Sequence, residues 1–116
     1  MRQCGIIAAG ALYALQHNIE RLAEDHVYAQ ILAQAIREAN GLRLQSDQID
    51  TNMVIFEVDP ALGTAADFAA ALQQQGVLVL HTSATRIRAV THLDVNQADV
   101  RQAGEIIRRV AEELSR

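Results

Sequence analysis

Arg86 and Arg88 stand two residues apart in the stretch Ala84-Thr85-Arg86-Ile87-Arg88-Ala89-Val90-Thr91-His92-Leu93-Asp94-Val95. A guanidinium is planar, permanently charged, and matches a carboxylate through two parallel N–H donors. In this stretch Ile87, Ala89, Thr91 and Leu93 alternate with Arg86, Arg88, Val90 and His92. A period of two reads as a β-strand whose two sets of side chains point to opposite faces. One face is mostly apolar and packs on the chain's own helices. The other carries two guanidinium groups and an imidazole, offered to solvent, to a ligand or to another domain. An arginine held in mid-strand is better preorganised than one on a loop. The plainer alternative is a solvated arginine or an interdomain salt bridge, worth little in stability.

Other chemistry is thinly represented. There is no glycine-rich phosphate loop, no G-x-S-x-G, no H-E-x-x-H and no C-x-x-C. Histidines stand at 17, 26, 81 and 92. His81 and His92 can approach across a hairpin, with Asp94 nearby, but their spacing matches no metal-ligand pattern and no metal is assigned. His26 falls on an apolar helical stripe and reads as a buried histidine. The basic residues are ten arginines and no lysine. A guanidinium stays protonated and cannot form an imine, so lysine Schiff-base chemistry is closed to this chain alone. No residue is assigned as catalytic.

A net charge of −4 and an aromatic content of 3% argue against a nucleic-acid surface. The single cysteine, Cys4, excludes an internal disulfide and fits a reducing, cytoplasmic setting. No apolar run is long enough to span a bilayer, and no membrane role is expected.

The elements that must position Arg88 follow from periodicity. A length of 116 residues is one domain's worth. Residues 1–18 are apolar on every side, with Ile6, Ile7, Leu12, Tyr13 and Leu15 leaving no polar face. Such a helix is buried in something. That something is a missing domain or a second subunit, or else the helix is the core of a small domain. Residues 19–40 form a second helix, with Asn18 as N-cap and Asn40-Gly41 as its stop. A polar connector follows, with a short edge strand at 42–44. Residues 53–58 are a strand covered on both faces or central in its sheet. Thr64 and Asp67 open a helix over 64–75, and Gly76 closes it. Residues 77–80 pair as a hairpin with the arginine strand. Asn96 caps the last helix, whose Val100, Ala103, Ile107, Val110 and Leu114 face inward. The sum is an α+β fold: a small three-stranded sheet, mixed or antiparallel, with the arginine strand between the other two. Helices at 64–75 and 96–115 cover one face, and two helices precede the sheet.

Three segments, in order, carry a resemblance over essentially the whole chain. They are Met1-Arg2-Gln3-Cys4-Gly5-Ile6-Ile7-Ala8-Ala9-Gly10-Ala11-Leu12-Tyr13-Ala14-Leu15, Ile19-Glu20-Arg21-Leu22-Ala23-Glu24-Asp25-His26, and Arg88-Ala89-Val90-Thr91-His92-Leu93-Asp94-Val95. Together they resemble the C-terminal part of low-specificity L-threonine aldolases. These are pyridoxal-phosphate lyases of the aspartate-aminotransferase fold, which cleave L-threonine or L-allo-threonine to glycine and acetaldehyde. The resemblance implies that Arg88 binds the α-carboxylate of an amino-acid substrate. Arg86 falls where the family often has an apolar residue and receives no role. His92 and Asp94 match family positions of structural character. Arg2 matches a position that helps bind the cofactor or shapes a subunit interface. In that family the segment resembling Met1-Arg2-Gln3 follows shortly after the cofactor lysine. The resemblance therefore implies a large cofactor-binding domain as partner, and a homo-oligomer. Residues 1–40 become a helical link to that domain or to a subunit, and 41–116 the small C-terminal domain. The competing possibility is a free-standing α+β binding or oligomerisation module without catalysis.

The absence of lysine predicts that the chain alone forms no lysine imine with pyridoxal phosphate. Mixing the two, dialysing and recording the imine absorption band should leave nothing beyond reaction of the α-amine. A band that survives dialysis with the α-amine blocked contradicts this.

Overall fold

The computed structural model describes residues 2–116. Met1, the first residue of the opening match, lies outside the described residues. Helices α1 (Gly5–His17) and α2 (Leu22–Glu38) come first, then strands β1 (Leu42–Leu44) and β2 (Met53–Val58). A single 3-10 turn (Pro60–Leu62) leads into α3 (Ala65–Gln74), followed by β3 (Leu80–His81), β4 (Arg86–Val90) and α4 (Gln97–Leu114). The strands make one sheet in the order β1-β2-β4-β3, antiparallel throughout.

The α+β class and the placing of β4 between β2 and β3 agree with the sequence. The sequence predicts three strands; the short edge strand at 42–44 pairs fully with β2 and makes a fourth. The sheet is not mixed. The crossover through α3 carries the chain past β4's position, so β2 and β3 run the same way but never touch. β3 is shorter than the predicted 77–80. Gly76 adopts a positive φ of 83°, and the Val77 amide closes α3 by donating to the Leu72 carbonyl at 3.0 Å. The chain then leaves the ladder's line and joins it only at Leu80.

The core lies on one face of the sheet. Val54, Phe56 and Val58 of β2 and Ile87 and Ala89 of β4 turn inward at alternate positions. They meet Leu32, Ala33 and Ile36 of α2, Phe68 and Leu72 of α3, and Ile107 and Val110 of α4. Burial of this apolar surface is the main driving force for the fold. α2 thus packs into the same core as the elements of residues 41–116. A Cβ on Gly104 of α4 would come within 2.7 Å of the Ala35 Cβ, so the absence of a side chain there lets α4 press close to α2.

Several local expectations are corrected. Asn18 does not cap α2; residues 18–21 form a turn, the N-cap position is Arg21, and it makes no side-chain cap bond. His26 is exposed, because the buried stripe Ala29, Leu32, Ala33 and Ile36 continues one turn back to Asp25. Asp25 is buried and paired with Arg21 at 3.3 Å. Leu114 is 40% exposed at the end of α4, while Ile106 joins the buried stripe. The two predicted capping boxes are present: Thr64 with Asp67, and Asn96 with Asp99.

Thr91 ties the end of β4 to α2 and to the residue that precedes β2. Its hydroxyl donates to the Asp25 carbonyl at 2.6 Å. Its amide donates to the Asn52 carbonyl at 2.9 Å, and the Asn52 side-chain amide donates back to the Thr91 carbonyl at 2.7 Å. Thr91→Val keeps the shape and loses the hydroxyl. It should destabilise the chain by about 1 kcal/mol, and Thr91→Ser should recover part of that. Urea unfolding of the three proteins checks it; an unchanged midpoint in Thr91→Val removes the tie from the stabilising interactions.

Candidate functional site

The inward turn of Ile87 and Ala89 forces Arg86, Arg88 and Val90 onto the sheet's outer face. No helix of the core covers that face. The antiparallel register then decides what each arginine meets. Arg86 lies opposite Glu57 of β2, and Glu57 in turn lies opposite Arg43 of β1. The three form a charged row across the sheet, with Glu57 hydrogen-bonded by Arg43 and ion-paired to Arg86 at 3.6 Å. The hydrogen bond and charge of Arg43, aided by Arg86, hold the Glu57 carboxyl below its ordinary value of 4.5.

Arg88 is placed differently. Its cross-strand neighbours are Ile55 on β2 and Leu80 on β3, neither of them acidic. Arg88 forms no salt bridge among the described residues. Its Nε is shielded from solvent and has no hydrogen-bond partner, a property shared with the Nε of Arg86. A shielded donor left without an acceptor costs free energy until an acceptor arrives. The next row of the face, Met53 opposite Val90, is apolar and part-exposed. Arg88 therefore stands at the border between a row in which one carboxylate is shared by two arginines and an apolar patch, and it has no carboxylate partner of its own among the described residues.

The remaining predicted residues are scattered. Arg2 is exposed in the turn that leads into α1. His81 sits opposite Ile87, five residues from His92, so the hairpin does not bring the two imidazoles together. His92 lies beyond β4, where its Nδ1 is 3.6 Å from Asp94 Oδ2. Among the described residues no three His, Cys, Asp or Glu side chains group in a way that could hold a metal ion. A hollow of about 640 Å³ opens between residues 75–79, the end of β4 and α4, and Arg88 is not among its lining residues. Sequence reasoning passed over Glu57. The available signal was its position as the lone charged residue within Met53–Val58.

α1 is the second notable surface. None of its residues is buried, and Ile6 and Ile7 are 85% and 69% exposed. The core-helix alternative for residues 1–18 does not hold: the structure leaves this helix outside the core.

An α+β domain of this order recurs within larger solved chains. The structure of Oryza sativa TDC with PLP and tryptamine superposes on it with a TM-score of 0.69 at 18% identity, over 84% of this chain and 24% of that one. Residues 1–60, just over half of the sequence, match the model of the beta-eliminating lyases, and the chain belongs to that family. Low-specificity L-threonine aldolase 1 of Arabidopsis thaliana is 35% identical over 101 residues, covering 86% of this chain and 28% of the relative. Low specificity L-threonine aldolase of Escherichia coli O157:H7 is 38% identical over 97 residues, covering 84% and 27%. The match is to their C-terminal part. The chain spans less than a third of the length of these curated relatives.

A carboxyl held below its ordinary value contributes stability that is present above that value and lost as pH falls through the lowered one. The charged row should therefore persist at pH 4.5 and break only under more acidic conditions. A carboxyl-carbon NMR titration should place the Glu57 midpoint below 4.5, and Arg43→Gln should move it upward. A wild-type midpoint at or above 4.5 means that the row is not formed in solution.

Proposed function

We propose that this chain is the C-terminal domain of a pyridoxal-phosphate-dependent L-threonine aldolase, which cleaves L-threonine or L-allo-threonine to glycine and acetaldehyde. The observation that carries the proposal is the guanidinium of Arg88, without a carboxylate partner among the described residues, on the open sheet face of a beta-eliminating lyase. Arg88 binds the substrate α-carboxylate in a two-bond fork. Ile55 and Leu80 flank its place in the sheet and limit where the side chain can go. Fixing the carboxylate fixes rotation about Cα, and so chooses which Cα bond is presented for cleavage. Positioning of this kind is worth several kcal/mol, with a limit of about 7–11.

This chain's own residues do not fit the cofactor by themselves, because ten arginines and no lysine leave no side-chain amine to anchor it. The lysine and the base that accepts the β-hydroxyl proton are assigned to a large domain, and the chain alone is inactive. α1 and the 1–40 segment link to that domain, with Arg2 near the cofactor or a subunit interface. The assembled enzyme is a cytoplasmic homo-oligomer.

In the assembled enzyme, Arg88→Ala should lower kcat/KM on threonine by roughly ten- to hundredfold, the worth of a charge-assisted bond of about 1.5–3 kcal/mol. Arg88→Lys keeps the charge, loses the fork and should fall between Ala and wild type. Arg86→Ala should cost less than Arg88→Ala. Cofactor absorption should be unchanged in all three. Near-normal kinetics in Arg88→Ala beside a crippled Arg86→Ala would place the carboxylate site two residues earlier.

A further inference from the structure

Arg86 and Arg88 project from one face of β4, about 7 Å apart along the strand. Two guanidinium groups at that spacing can engage both ends of one small dicarboxylate lying along β4. They are not equally placed: Arg86 has Glu57 as an ion-pair partner at 3.6 Å and Arg88 has no carboxylate, while the Nε of each keeps no hydrogen-bond partner. Glu57 lies opposite Arg86 and not opposite Arg88, and it also accepts a hydrogen bond from Arg43. The cross-strand neighbours of Arg88 are the apolar Ile55 and Leu80.

We propose that Glu57 is a specificity-determining residue that masks Arg86, so that the outer face takes a ligand with one carboxylate at Arg88 and discriminates against a second carboxylate directed toward the start of β4. The effect on a ligand held at Arg88 rests on the assignment of Arg88 as the carboxylate site. Two effects act together. Glu57, shared with Arg43, offsets part of the charge of Arg86, and its own negative charge opposes an acidic group arriving beside it. The register supplies the asymmetry: a carboxylate at position 55 instead of 57 would mask Arg88 and leave Arg86 open.

The test uses the full 116-residue chain. The arginine Nε–Hε NMR signals are followed during titration with succinate, and with acetate at matched ionic strength. In wild type, succinate should leave the Arg86 signal in place. In Glu57→Gln the Arg86 signal should move with succinate, and the dissociation constant for succinate should fall about two- to fivefold relative to that for acetate, the range of an exposed ion pair. Glu57→Thr, a good strand former, removes the same charge by a second route and should behave alike. The double variant Glu57→Gln/Arg86→Gln should lose the gain. The proposal is overturned if Arg86 already responds in wild type, if it stays silent in both Glu57 variants, or if the gain survives in the double variant. An Arg88 signal that ignores acetate counts instead against the carboxylate assignment of Arg88, so the two failures are distinguishable.

Discussion

The hydroxyl of Thr91 on the Asp25 carbonyl is the constraint on which the site depends. It joins the first buried turn of α2 to the end of β4, across 66 residues of sequence. A strand has a side-chain period of two, so a slip of one residue would exchange its faces. Ile87 and Ala89 would then meet solvent, and Arg86 and Arg88 would be driven into the core. The bonds between Thr91 and Asn52 fix the same register from the side of β2. The direction in which Arg88 points is thus decided at the end of its strand, by groups that carry no charge.

Electrostatics on the outer face depend on the register just as directly. Glu57 and Ile55 are two residues apart on β2 and face Arg86 and Arg88 in turn. One arginine has a carboxylate, shared with Arg43, as its cross-strand partner, and the other faces hydrocarbon on both sides. Two arginines of one strand, identical in chemistry, therefore have different availability. The difference comes from the neighbouring strands and cannot be found in the stretch 84–95 alone.

Much of this was legible in the sequence because it is local. Alternation along 86–90 gives the faces of β4, and the spacing Thr64 to Asp67 and Asn96 to Asp99 gives both capping boxes. The beta-eliminating lyase membership was legible from the three matching segments, which the family model bears out for residues 1–60. What escaped is non-local. His26 and Asp25 are adjacent, and which of them is buried depends on the rotation of α2 against the sheet. Glu57 gained its place only from pairing with strands fourteen and twenty-nine residues away, at Arg43 and Arg86. Asn18 is a good cap residue by type, but the chain spends three more residues turning before α2 begins.

The two rims of the sheet have a consequence of their own. β3 is two residues long and β1 is three, with an arginine at the centre of β1. Short borders of this kind, one of them carrying an arginine, offer little template for another strand to zip onto, which disfavours fibril-like growth. Any lasting association of this chain is therefore made side chain to side chain, by seating one surface on another, and not by sharing a backbone ladder across the boundary.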